Sequence, residues 1–266
     1  MISTHSFEAD ESLDGNIALV TAGAAGLGRG IALALARIGA RVCIWDQDEH
    51  ALAECKTEFE AFGFEVTIRK VNLLDTGDLN KAFVDLIQRH KRLDILVNNA
   101  GGSLHTPFKF LEETDNDWER VFDLNLMATV RLTRLALPGM IANRYGRIVN
   151  LGSKAGRYGS LFAGANYVAV KGAIHALTLQ LAQEFGPHGI TVNAICPGAI
   201  MTPRVKRLLA ERQSVEERER VLKEIPMRRH GEVEDVARAV TFLVSPKADF
   251  MTGLLVDLNG GQVMST

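Results

Sequence analysis

Cysteine is scarce in this 266-residue chain: Cys43, Cys55 and Cys196 are the three, and their spacing matches neither a metal site nor a redox pair. Each lies within an apolar pattern, which reads as a small buried side chain in a reducing compartment, the cytoplasm. Aromatic residues are also few, at 6%, so the 47% apolar content is carried mainly by Ala, Val, Leu and Ile. Such side chains suit a large core of helices packed on strands. Neither sign of charge dominates, with 30 basic against 32 acidic residues and a net charge of −2, so no nucleic-acid surface is expected. No stretch approaches the roughly 18 uninterrupted apolar residues of a membrane span. The first 14 residues, MISTHSFEADESLD, lack a basic start and an apolar centre, so no signal peptide is expected.

What is present is alternation. Short apolar runs at 17–21, 41–45, 65–71, 93–97, 147–151, 190–195 and 254–258 read as strands, several of them continuous enough to be covered on both faces. Helical patterns lie between them near 27–38, 48–61, 77–90, 116–141, 164–185, 204–223 and 233–244. This order predicts an α/β fold: a doubly wound, parallel, seven-stranded sheet with right-handed crossovers and helices on both faces. Residues 1–14 read as an N-terminal extension and 15–266 as one domain, with the charged stretch 203–231 as an insertion over one end of the sheet.

The first strand runs into Thr21-Ala22-Gly23-Ala24-Ala25-Gly26-Leu27-Gly28, followed by a helix. A glycine-rich turn there lets backbone approach a pyrophosphate at the positive end of the helix. A tight turn with close helix packing would explain the glycines equally. The second strand ends at Asp46, roughly 20 residues beyond them, where a carboxylate accepts from both hydroxyls of an adenosine ribose and repels a 2′-phosphate. NAD is therefore expected over NADP. The competing reading of Asp46 is a cap for the following helix, and Arg29 is the one basic residue near the turn with a 2′-phosphate in reach.

At this point the chain resembles the short-chain dehydrogenase/reductase family over nearly its whole length, which implies a Rossmann-type single domain. Thr21, Gly26 and Gly28 match the opening T-G-x-x-x-G-x-G, with Ala22 in place of the first glycine. The resemblance implies that Gly23, Gly26, Leu27 and Gly28 line the pyrophosphate, that Asn72 and Leu73 meet the adenine, and that Asn99, Ala100 and Gly101 of N-N-A-G border its ribose. Asn98 is the more structural of that asparagine pair. It further implies a catalytic tetrad of Asn125, Ser153, Tyr167 and Lys171. Tyr167 and Lys171, at i and i+4, share a helix face. A phenol near pKa 10 is a poor base at neutral pH, and an ammonium beside it favours the phenolate. Ser153 steadies the substrate oxygen, Lys171 also holds the nicotinamide ribose, and Asn125 supports a water in a proton relay. The Ser153–Tyr167 interval is one residue longer than the family's, read as variation in the loop 154–163. Pro197, Gly198, Ile200 and Thr202 match the segment that meets the nicotinamide carboxamide, and Gly260-Gly261 a structural turn.

The implied reaction is reversible hydride transfer between a secondary alcohol or its ketone and NAD, with Tyr167 as general acid/base. The lid carries Arg204, Lys206, Arg207, Arg228 and Arg229, and the preceding loop Arg157. These open the reading that Arg157 or Arg204 meets an anionic substrate group, against that of a solvated amphipathic lid. Two other functions stay in view. One is a 3-oxoacyl thioester reductase, with Arg144 as a candidate carrier contact, weakly supported by His188 and the neutral charge balance and opposed by Asp46; the other is a non-catalytic dinucleotide binder. The resemblance also implies a homotetramer, paired through the helices 116–141 and 164–185 and through the last strand with the helix 233–244.

Overall fold

The computed structural model describes residues 12–212 and 214–264. Strands β1 (Ile17–Thr21), β2 (Arg41–Asp46), β3 (Val66–Lys70), β4 (Ile95–Asn98), β5 (Gly146–Leu151), β6 (Ile190–Pro197) and β7 (Leu255–Leu258) form one sheet in the order β3-β2-β1-β4-β5-β6-β7. Every pairing is parallel. The strand runs lie within about two residues of their sequence-based bounds, because strands covered on both faces must be apolar without interruption.

Alternate residues of each strand enter opposite layers. Ala18, Val20, Ile44 and Val97 pack under α1 (Gly26–Arg37), α2 (Glu49–Ala61) and, later in the chain, the helix Val233–Val244. Leu19, Cys43, Trp45, Leu96 and Ile148 face α3 (Thr76–His90) and the long helices that follow β4 and β5. All three cysteines are free and buried.

Three helical regions depart from the sequence pattern. The single helix expected at 116–141 is α4 (Asp115–Phe122), a π-helical turn (Asp123–Met127) and α5 (Ala128–Asn143). Thr114 and Asp117 cap its start reciprocally, and Arg144 ends it in a left-handed conformation. The loop after β5 contains a short helix, α6 (Ala155–Tyr158), ahead of α7 (Ala165–Phe185). The lid is two helices, α8 (Pro203–Arg212) and α9 (Val215–Glu224), divided where Ser214 and Glu217 form a second capping box. Helix α10 (Val233–Val244) then packs beside α1.

The base of the lid is tied twice. Ile200 bridges Gly231, and the Met227 N–H donates to the Gly260 carbonyl at 3.1 Å, which gives the terminal glycine pair its place. Of the expected extension 1–14, residues 1–11 lie outside the described residues. Leu13 is buried in the α1 layer, with its N–H donating to the Ile38 carbonyl at 2.7 Å. Among the described residues, no helix is long and apolar enough to cross a membrane.

Candidate active site

In an open parallel sheet the ligand crevice lies at the carboxyl ends of the strands, where the strand order reverses. Here that point is between β1 and β4, and a cavity of about 600 Å³ opens there. One end of it is walled by the first turn. A Cβ on Gly28 would stand 2.3 Å from the Ala22 carbonyl oxygen and 2.6 Å from Asn99 Nδ2, so only glycine allows α1 to start this close to β1. Asn99 in turn donates to the Thr21 and Ala22 carbonyls at 3.0 Å each, while the Thr21 hydroxyl accepts the N–H groups of Asn99 and Ala100. No side chain caps α1 at Ala25, which leaves its first turn available to an anion.

Asp46 stands in the wall beside this turn and accepts the Ala24 N–H at 3.1 Å and the Asp48 N–H at 3.1 Å. The cap of α2 is Asp48, which accepts from His50 and Ala51; the alternative reading of Asp46 as that cap is therefore wrong. Arg29 is paired with Glu58 at 3.1 Å. A bare helix start next to an outward carboxylate fits a pyrophosphate followed by a ribose diol.

The other end of the cavity gathers the expected chemistry. Ser153, Tyr167 and Lys171 all line it, together with Gly101, Pro197, Gly198, Ile200 and Thr202. The Ser153 hydroxyl accepts the Ala155 N–H at 3.1 Å, at the start of α6, and shares a hydrogen bond with the Tyr167 phenol. The Ser153–Tyr167 interval contains α6 and the turn at Gly159. Burial pushes the phenol above its usual pKa, while the Ser153 hydrogen bond and the Arg204 guanidinium pull it back. Lys171 is buried, donates to the Leu151 carbonyl at 2.6 Å, and sits 5.7 Å from the Tyr167 ring centre. Burial lowers its ammonium to about 8. The Lys171 ammonium, expected to favour the phenolate, stands over the Tyr167 ring, and the Arg204 guanidinium is a second cation beside the phenol.

Several expected site residues stand behind the wall. Asn125 sits in the π turn; its Nδ2 donates to the Gly102 and Val121 carbonyls, and its Oδ1 accepts the Gly102 N–H at 2.9 Å. It thus shapes the loop beside Lys171. Gly23 packs on β1 beneath the turn, and Ala100 is buried below it. Asn72 and Leu73 lie outside the wall: Asn72 Oδ1 accepts the Leu74 N–H at 3.1 Å, and Leu73 is part of the core. Asn98 is structural, donating to Asn150 and Thr133, and Asn150 continues the chain to Thr178.

The two candidate arginines part company. Arg157 turns to β7, donating to the Leu255 carbonyl at 2.8 Å and pairing with Asp257 at 3.3 Å. Arg204, from the first turn of α8, lines the cavity and lies over Gly102. Sequence reasoning missed Phe162, Ala163, Val205 and Leu208, which give this end an apolar side. Their only signal was apolar residues recurring in segments read as loop and lid.

Comparison with known proteins agrees with this geometry. A family model described as enoyl-(acyl carrier protein) reductase matches residues 22–262. The 2,3-dihydroxy-2,3-dihydro-p-cumate dehydrogenase of Pseudomonas putida is 38% identical over 253 residues, covering 95% of this chain and 96% of its own. The 3-oxoacyl-(acyl-carrier-protein) reductase of Staphylococcus aureus is 36% identical over 248 residues, covering 93% and 98%. A solved structure described as a putative gluconate dehydrogenase from Agrobacterium tumefaciens superposes with a TM-score of 0.90 at 32% identity, covering 97% of this chain and all of the other. With the glycine turn, the Ser–Tyr–Lys cluster and these full-length matches together, the chain belongs to the short-chain dehydrogenase/reductase family of oxidoreductases.

Proposed function

We propose that the protein is an NAD-dependent dehydrogenase that interconverts a secondary alcohol and its ketone, the substrate carrying an anionic group on an apolar body, and that it works as a homotetramer. The observation that carries the reading is the single cavity with a carboxylate, Asp46, at one end and Ser153, Tyr167 and Lys171 at the other. A nicotinamide cofactor bound here would supply the hydride acceptor for the alcohol carbon in oxidation and the hydride donor in reduction. Ser153 orients the substrate oxygen, and Tyr167 removes the hydroxyl proton in oxidation and restores it in reduction. Lys171 holds the cofactor ribose, and Gly26, Gly28 and Thr202 surround the pyrophosphate. Asp46, with Arg29 already paired to Glu58, favours a 2′-hydroxyl over a 2′-phosphate.

The anionic preference rests on Arg204, which faces a cavity side lined by Phe162, Val205 and Leu208. The Pseudomonas relative is named for a diol of this kind, a carboxylate on an apolar ring. The second reading, reduction of a 3-oxoacyl thioester, is favoured by the names of the acyl-carrier-protein relatives.

NAD reduction over a panel of secondary alcohols tests the proposal, with neutral and carboxylated members of equal size. Tyr167→Phe should abolish nearly all turnover and leave NADH affinity within about twofold, since the phenol serves the chemical step. Substantial activity in that variant, or equal efficiency with NADP, would sink the reading. Faster NADPH-driven reduction of acetoacetyl-CoA would move it to the thioester alternative.

A further inference from the structure

Behind Ser153 lies a buried imidazole that the proposed reaction leaves unused. His175 follows Lys171 by one turn on the same face of α7 and is 5% exposed. Its Nε2 accepts the Ser153 N–H at 3.4 Å and lies 3.2 Å from the Cys196 sulfur, while the ring also bonds the Gly156 backbone. The ring is therefore in touch with the Ser153 loop, with α6 and with the end of β6, just before Pro197 and Gly198.

The slot is built to its shape. A Cβ on Gly152 would meet His175 Nε2 at 2.5 Å, and a Cβ on Gly156 would meet its Cε1 at 2.9 Å. Gly152 thus makes room for this ring, and a larger residue there would displace it, while Gly156 lets α6 close on the α7 backbone at Lys171 and Gly172. The charged neighbours are Lys171, Arg157 and Asp257. Burial and the two cations depress the imidazolium to about 4, so the ring is neutral at physiological pH and Nε2 keeps a lone pair for Ser153.

We propose that His175 is a positioning residue of the active site, acting through Ser153: by accepting the Ser153 N–H it ties the loop that carries the hydroxyl to the helix that carries Tyr167 and Lys171. The Ser153 hydroxyl is already held from one side by the Ala155 N–H, and the bond to His175 fixes the backbone on the other. Without it the hydroxyl drifts from the distance at which it can serve both the phenol and the substrate oxygen. The inference rests on the dehydrogenase reading given above.

The test combines His175→Phe, which keeps a ring but loses the acceptor, with His175→Gln, which restores an acceptor of similar reach. His175→Leu serves as the smaller apolar variant if Phe overfills the slot beside Gly152. Each is made in the wild type and in Ser153→Ala. Loss of one hydrogen bond that acts in the transition state should lower kcat about tenfold in His175→Phe, with KM for NAD and NADH affinity within about twofold. The Gln variant should recover to within about threefold of wild type. In the Ser153→Ala background the Phe variant should cost nothing further, because the backbone bond remains but the hydroxyl it positions is gone. Nitrogen-15 spectra of labelled histidine in the NADH complex should place the His175 proton on Nδ1. Full kcat in His175→Phe and His175→Leu, an undiminished loss in the Ser153→Ala background, or no recovery with Gln would each overturn the inference while leaving the dehydrogenase reading intact. A wild-type protein that turns over no alcohol or ketone overturns that reading, and the inference with it.

Discussion

Ala22 holds a left-handed backbone, with φ of +48°, at the position where the family pattern has its first glycine. An L-residue there costs about 1–2 kcal/mol against the right-handed region, while glycine would cost about 0.4–1 kcal/mol more in unfolded-chain entropy. The difference favours glycine, so Ala22→Gly should stabilise the protein by about 0.5–1 kcal/mol, read as a higher urea midpoint at unchanged slope. No gain would mean that the Ala22 methyl has contacts that offset its backbone strain. The substitution of Ala for Gly was legible in the sequence; the strain was not, because a dihedral angle depends on how Gly28 and Asn99 crowd the turn from elsewhere in the chain. Asp46 differs from it in the same respect. Its spacing from the glycines placed it at the cavity, but only the fold assigns the α2 cap to Asp48 and sets Asp46 in the cavity wall.

At the scale of elements, the sheet was readable almost to the residue and the helical joints were not. Strands buried on both faces leave an unbroken apolar signature, whereas the π turn at Asp123–Met127 adds one residue without interrupting the amphipathic pattern. The joint between α8 and α9 did carry a signature, Ser214 followed three residues later by Glu217, which a helix read through 204–223 passes over. The fate of Arg157 was out of reach because its partners, Leu255 and Asp257, are remote in sequence. The π turn has a consequence for Asn125, whose side chain satisfies the Gly102 N–H and carbonyl and the Val121 carbonyl at once. Asn125→Ala leaves those groups unpaired and should lower unfolding free energy by roughly 2–4 kcal/mol. Amide exchange at Gly102 should quicken in parallel. A variant that loses turnover at full stability would instead restrict Asn125 to the proton relay.

At the scale of the whole molecule, the surface carries apolar groups that a monomer has no use for. Phe250 is fully exposed, Phe242 on α10 and Leu179 on α7 are exposed by more than two-fifths, and β7 is the last strand of the sheet. Large exposed apolar side chains near an edge strand invite association. Phe242, Phe250 and β7 lie on the side expected to form the second interface, and Leu179 lies on one of the long helices expected to form the first. The homotetramer proposal therefore predicts a solution mass near four times the 29.1 kDa chain by light scattering. In a two-fold contact each substitution counts twice. In such a contact, replacing Phe250 with Asp would forfeit the burial of two rings and desolvate two carboxylates, a loss of several kcal/mol at about 2 kcal/mol per ring before the charge is counted. Phe250→Asp should accordingly sediment as a dimer at micromolar concentration and retain the thermal stability of the α5–α7 pair. A wild-type protein that sediments as a monomer would refute the assembly, and an unaltered tetramer in the variant would remove Phe250 from the interface.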